Sequence, residues 1–366
     1  MVGTALRFAV ASGFHTHVKS SLGDLKQEEV LTKTWWSLHN LESLLSSMTG
    51  RPCMLRSEDV TAPLPSDVAE DRHPKDPINT PAISFLDAQV RLAVITQEIL
   101  SHLYTKRRAS RSWAQTHAII TSMMSELDEW SSEAISQHLE GAEMTPDYDL
   151  QQISLKKQYF RIKILIARPS LGRIERCSEA GTDDFTLFDQ ETAEACVQTA
   201  HEVASLLPDE VDLKLVYEKG PWWTIMHNSE CPTFIINRNK SSYRPVMQAL
   251  AVLLIGISCR QHFEFSYSNS VASVKKLVTY VQYMRDTNDT AKRAYQVIHG
   301  IIKAPDLVNP SIWVDIAGLF PDELTPHPLQ TAIQGYLPLA GEEHSLQWLF
   351  GLQDGSDYGY CPIRPV

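Results

Sequence analysis

Residues 28–52 read EEVLTKTWWSLHNLESLLSSMTGRP, and the spacing of their apolar side chains decides the fold class. Leu31, Trp35, Leu38, Leu45 and Met48 recur at three-, four- and seven-residue steps, and Leu41 and Leu44 widen the stripe. That period predicts an amphipathic helix from Lys26 to Met48 with one buried face. Glu28 and Glu29 fall in its first turn, where they favour the positive end of the helix dipole. Gly50 follows the last turn and permits the left-handed residue that ends a helix. Pro52 prevents the helix from resuming, and Arg51 supplies donors that could tie the following loop to helix carbonyls or to an acidic side chain. Gly50-Arg51-Pro52 is therefore read as a corner. Trp35 and Trp36 are neighbours on the helix, point about 100° apart and can wedge against two different partner helices, so both are expected to be core anchors.

Outward from this helix the same period dominates, and alternating strand patterns are absent from the sequence. The expected class is all-α: an irregular multi-helix domain over residues 1–304, then an acidic tail over 305–366 in which proline and glycine are frequent and periodicity fades. Arg51 to Asn79 holds Pro52, Pro63, Pro65, Pro74 and Pro77, and reads as irregular. Helical patterns run through Ala82 to Lys106, Trp113 to Leu139, Leu150 to Ala167, Phe188 to Leu207, Val246 to Phe263, Val271 to Met284 and Ala291 to Ile302. Pro169 is expected to stop the third of these. Residues 228–244 separate Trp222-Trp223 from the apolar helix near Val246 and read as an insertion. No fixed internal period suggests a helical-repeat solenoid.

The chain of 366 residues is 43% hydrophobic and 21% charged, the composition of a globular protein that can offset its ordering entropy by burial. Its length accommodates one or two domains. The net charge of −11 repels phosphate, so nucleic acid is a poor partner for the chain as a whole. The N-terminal residues lack the order of a signal peptide, and the most apolar window, Val246 to Cys259, is shorter than the roughly 20 residues that span a bilayer. Cys53, Cys177, Cys196, Cys231, Cys259 and Cys361 include no C-x-x-C pair, so neither a zinc site nor a disulfide framework is read from them.

Three stretches together resemble the fungal-specific transcription factor domain, the middle homology region of fungal zinc-cluster regulators. The first, Ala5 to His15, resembles the family helix that ends in a small residue, Gly13, a hydrophobe and His15. The second carries Trp35-Trp36-Ser37-Leu38-His39, then Gly50-Arg51-Pro52, then Ser57-Glu58-Asp59-Val60 and Leu64-Pro65. The third is Tyr159 to Leu171 with its Arg168-Pro169 ending, followed by Gly220-Pro221-Trp222-Trp223. The resemblance covers about two-thirds of the chain. The family carries a basic pair just before its aromatic residue, whereas Lys33-Thr34 precedes Trp35 here. Residue 1 falls inside the homology region, so a zinc cluster and DNA binding are not carried over to this chain.

The resemblance implies a nuclear regulatory module, not an enzyme, that receives signals from protein co-regulators, a homologous regulator or a small-molecule effector. No cofactor, metal or membrane partner is expected. The competing reading is a helical small-molecule-binding or enzymatic protein that reuses the scaffold. Catalytic elbows, phosphate loops, dinucleotide fingerprints and H-E-x-x-H motifs are all missing from the sequence. His15-Thr16-His17 reads as polarity at a helix end. Glu126, Asp128, Glu129 and Glu133 read as a solvated helix face, and Lys106-Arg107-Arg108 with Arg111 as a solvated loop. In the tail, Trp348, Leu349 and Phe350 among carboxylates are a candidate partner-binding element, weighed against docking on the chain's own core.

Overall fold

The computed structural model describes residues 2–16, 25–49, 53–55, 59–65, 84–104, 111–135, 146–211, 244–263, 266–285, 292, 295–296 and 298–299. Every regular element among them is helical: α1 Val2–Ala11, α2 Leu25–Thr49, α3 Phe85–Leu103, α4 Trp113–Ala134, α5 Pro146–Ala180, α6 Leu187–Ser205, α7 Arg244–Ser258 and α8 Tyr267–Met284. A single 3₁₀ turn, Arg260–His262, follows α7. The fold is all-α, as the periodicity requires. The expected insertion at 228–244, apart from Arg244, and the tail at 305–366 lie outside the described residues.

The helix starts follow from their capping residues. Ser84 caps α3 by accepting from the Asp87 amide. Ser112 and Gln115 form a reciprocal capping box on α4, and Thr186 and Asp189 form another on α6. α1 ends in a Schellman arrangement. The Gly13 amide donates to the Val10 carbonyl and the Phe14 amide to the Ala9 carbonyl, both at 3.0 Å, while Gly13 takes a positive φ of 78°. The family-like run of small residue, glycine and hydrophobe is thus a helix stop with its own apolar clasp, since Phe14 packs on the cluster that holds Ala9.

Pro169 does not stop α5. The helix continues to Ala180 with the proline inside it, which corrects the reading of Arg168-Pro169 as a terminus. A proline in a helix interior deprives the carbonyl four residues earlier of its donor, a defect of about 3 kcal/mol. That carbonyl belongs to Leu165, and the Tyr104 hydroxyl donates to it at 2.6 Å. A side chain from the end of α3 therefore replaces the missing amide.

The chain divides into two compact units, and the boundary falls inside α5 between Pro169 and Ser170. In the first unit α1 packs on α2, α2 on α3 and α3 on α4. α2 and α3 are antiparallel, because Ser43 donates to the Ala93 carbonyl while His39, one turn earlier, meets Gln97, one turn later. α4 returns along α3: Arg111 donates to the His102 carbonyl at one end and the Trp130 indole to the Ala88 carbonyl at the other, the latter at 2.9 Å.

In the second unit α6, α7 and α8 pack pairwise. α7 is apolar nearly all round, with Ala249 through Ile255 and Ile257 buried. No helix among the described residues is long and apolar enough to cross a membrane. Tyr280 of α8 donates to the Pro208 and Glu210 carbonyls at 2.9 and 3.0 Å, securing the segment that leaves α6. At the α5–α6 turn, Arg173 reaches the wholly buried Asp189 carboxylate at 3.1 Å.

Candidate functional site

The described residues of the first two stretches, among them Gly13, His15, Trp35, Trp36, His39 and Val60, assemble at the junction of α1, α2 and α3. After the Gly13 stop, the His15 carbonyl accepts from the amides of Thr61 and Ala62 at 3.0 and 3.1 Å. Two residues on, the Pro63 carbonyl accepts from the Trp36 indole at 2.7 Å. The proline-rich stretch after α2 is therefore stitched to the end of α1 and to the middle of α2. Val60, Ala62 and Leu64 lie on the apolar cluster of Leu6, Ala9, Trp35, Trp36 and Val90. Trp35 is 0% exposed and Trp36 5%, so each ring fills a different side of the same seam.

A string of polar groups runs through this apolar junction. The His15 ring sits 5.8 Å from Trp35, which sits 6.1 Å from His39, whose ring also meets Trp36 edge-on at 5.2 Å. His39 is buried, and that desolvation lowers its pKa from the usual 6.5 to about 4, so the ring is neutral at physiological pH. Its Nε2 meets the Gln97 amide nitrogen at 3.1 Å. With that amide donating, Nε2 carries the lone pair and the ring proton sits on Nδ1.

One turn further along α2, the buried Glu42 carboxylate accepts from Ser46 at 2.8 Å and from the Met54 amide at 2.9 Å. It holds the chain just beyond the Gly50-Arg51-Pro52 corner, whose own residues lie outside the described set. The adjoining Cys53 thiol is pushed up to about 11, first by burial and then by the Glu42 charge, so it is a poor nucleophile. Lys33, which stands where the family pattern has a basic pair, makes a surface ion pair with Glu29 at 2.6 Å.

The third stretch forms a separate lock. Beyond the bond from Tyr104 to Leu165, the Arg168 guanidinium lies over the Tyr104 ring at 5.8 Å. Arg168-Pro169 is therefore a pair in which the proline frees a carbonyl, the tyrosine satisfies it and the arginine covers the tyrosine. Pro221, Trp222 and Trp223, and likewise Trp348, Leu349 and Phe350, lie outside the described residues.

Some groups read as solvated have partners. In the acidic run of α4, Asp128 accepts from the Tyr159 hydroxyl at 3.0 Å and Glu133 pairs with Arg91 at 2.9 Å. Glu126 has its pKa raised by burial and then by the charges of Glu98 and Glu129. His39 was quoted only as part of the family-like run after Trp35, and Glu42, Gln97 and Tyr104 were given no role from sequence. His39 and Glu42 sit on the polar edge of the α2 stripe, and their partners are far along the chain, so no local pattern marks them.

This geometry defines a class: an all-helical scaffold in which buried polar side chains pin irregular connections to helix ends. Residues 1–132 match the family model described as "Fungal specific transcription factor domain". Several fungal proteins are similar to it. Activator of stress genes 1 of Saccharomyces cerevisiae is 22% identical over 61% of this chain and 23% of its own length. Transcription regulator galc of Aspergillus niger is 19% identical over 86% of this chain and 44% of its own length. Transcriptional activator protein acu-15 of Neurospora crassa is 27% identical over 46% of this chain and 19% of its own length. The chain thus spans less than half the length of these relatives. No solved structure matches it.

Proposed function

We propose that this chain is a regulatory module of a fungal transcription regulator, acting through protein or effector contacts and without catalysis. The observation that carries the reading is the match of residues 1–132 to the family domain, together with the names of relatives that are transcription regulators and activators. The scaffold supports it: the motif residues that carry the resemblance, Gly13, His15, Trp35, Trp36, Arg168 and Pro169, build the α1–α2 junction and the α3–α5 lock. A nuclear location and co-regulators as partners belong to the same reading. So does the division into a helical domain over 1–304 with an insertion at 228–244 and a tail whose Trp348, Leu349 and Phe350 contact a partner.

The test is a fungal reporter assay with the chain tethered to an unrelated DNA-binding domain. Reporter output should change several-fold relative to the DNA-binding domain alone, and a version carrying Trp36→Ala should lose that change. Replacing Trp348, Leu349 and Phe350 by alanine separates the contribution of the tail. Output equal to that of the DNA-binding domain alone, from a chain that accumulates and is folded, would count against the proposal.

A further inference from the structure

α5 runs unbroken from Pro146 to Ala180, yet one of its turns reads Pro169-Ser170-Leu171-Gly172. Sharp bends in long helices fall at proline, glycine and serine, and all three stand here within four residues. Pro169 withholds an amide from the Leu165 carbonyl and its ring crowds that oxygen, while Gly172 adds backbone freedom that disfavours a helix. Local sequence therefore favours a bend where the structure keeps a helix.

What holds this turn is tertiary. Leu165, Ile166, Ala167 and Leu171 are buried, and the Tyr104 hydroxyl donates to the Leu165 carbonyl at 2.6 Å beneath the Arg168 guanidinium. The Ser170 hydroxyl is the opposite case: it is wholly buried and has no hydrogen-bond partner among the described residues. A buried hydroxyl left in that state costs free energy and calls for an explanation. A serine inside a helix can turn its hydroxyl onto the carbonyl four residues earlier, and that bond bends the helix. For Ser170 the carbonyl is that of Ile166. In the unbroken helix the Tyr104 hydroxyl is engaged and the Ser170 hydroxyl is idle; in a bent helix the two exchange roles.

The boundary between the two compact units falls between Pro169 and Ser170, and α5 is the one described helix that belongs to both. From these observations we infer that the Pro169 turn is a latched hinge. An unbroken form of α5, held by Tyr104, is in equilibrium with a bent form in which the Tyr104 hydroxyl has left Leu165 and the Ser170 hydroxyl has taken the Ile166 carbonyl. Minor forms of this kind are populated at about 0.1–10%, and whatever engages Tyr104 or Arg168 in one form only shifts the balance by its differential affinity. The hinge is a property of the chain itself and does not rest on the regulatory reading above.

The test places spin labels, carried on non-natural amino acids so that the cysteines stay unmodified, at Ser122 of α4 and Gln198 of α6. Both positions are exposed, and they lie on opposite sides of the hinge in sequence. Pulsed electron resonance on the full chain reads the distribution of distances between them. Tyr104→Phe should enlarge a second population by about fivefold or more, the ratio that follows from leaving a buried carbonyl unsatisfied. Pro169→Ala restores the amide, so it should remove that population and make Tyr104→Phe silent. Ser170→Ala, added to Tyr104→Phe, should shrink the second population again, because the bent form loses its bond; a serine that merely fills space would not act in this direction. Helical circular dichroism confirms that each variant is folded. Identical distributions in the parent and in folded Tyr104→Phe would overturn the hinge, as would a second population that survives Pro169→Ala. A second population indifferent to Ser170→Ala would overturn the role of the serine. Should Tyr104→Phe fail to fold, the parent and Pro169→Ala decide between them: a narrower distribution in Pro169→Ala supports the hinge, and equal widths overturn it.

Discussion

Tyr104→Phe removes one oxygen from the lock on Pro169, and its effect follows from the helix geometry. In the native chain the Leu165 carbonyl is buried, lacks an amide donor because residue 169 is proline, and takes the Tyr104 hydroxyl at 2.6 Å instead. Deleting the hydroxyl leaves a buried acceptor unsatisfied, which destabilises by about 1–3 kcal/mol. Replacing Pro169 by alanine restores the residue-169 amide, which can donate to the same carbonyl. In a Pro169→Ala background, Tyr104→Phe should therefore be worth no more than about 1 kcal/mol. The signature is the coupling between the two substitutions, on the order of 1 kcal/mol or more, rather than either effect alone.

Hydrogen-exchange mass spectrometry on peptides covering residues 160–173 reads the opening free energy of this turn of α5 without requiring the whole chain to unfold in one step. Tyr104→Phe should accelerate exchange there by about five- to a hundredfold, the conversion of 1–3 kcal/mol, and far less when Pro169 is alanine. Equal effects of Tyr104→Phe in both backgrounds would refute the argument that the tyrosine stands in for the proline's missing amide.

Three further outcomes are expected. Trp36→Ala should lower stability by about 3–5 kcal/mol through its cavity, while Trp36→Phe, which keeps much of the bulk but loses the bond to Pro63, should lower it by about 1–2 kcal/mol; unchanged urea midpoints would contradict the packing. His39, whose pKa drops from 6.5 to about 4 on folding, makes the folded state bind fewer protons than the unfolded one. Stability from this residue is complete above pH 6.5 and declines as pH falls toward about 4, by about 3 kcal/mol in all. Urea midpoints measured against pH should show that slope in the native chain and not in His39→Gln. Asp189→Asn should destabilise the second unit by about 3–5 kcal/mol, because it leaves Arg173 without its buried counter-charge; an exchange pattern in α6 equal to the parent's would argue that solvent already screens the pair.

What was legible in the sequence is what is decided locally. The α2 stripe depends on residues within a few positions of one another and could be read from spacing, whereas the end of α1 at Gly13 was read only from the family resemblance. Pro169 was misread because the rule that proline ends a helix is also local, whereas the donor that rescues Leu165 comes from a residue 61 positions away. The same distance problem hides His39 with Gln97, 58 positions apart. Glu42 looked like an ordinary polar residue of an amphipathic helix, and only the return of the chain at Met54 gives its carboxylate a buried task. Arg173 and Asp189 are close in sequence, yet their burial depends on how the α5–α6 turn closes, which periodicity does not report.

Apolar packing alone would leave the first unit underdetermined, because dispersion and burial reward many small shifts of one helix along another almost equally. Its buried polar bonds are less tolerant. Each pins a group that has no partner within its own helix or strand: Trp36 fixes the Pro63 carbonyl, Glu42 the Met54 amide, and Tyr104 the Leu165 carbonyl. A shift of even one turn would strand these groups at about 1–3 kcal/mol apiece, so together they select one register from several that the core would accept. The Tyr104 bond has an added consequence. Pro169 is the last residue of the first compact unit, and α5 runs through it into the second, so the turn that Tyr104 repairs lies in the one described helix common to both units.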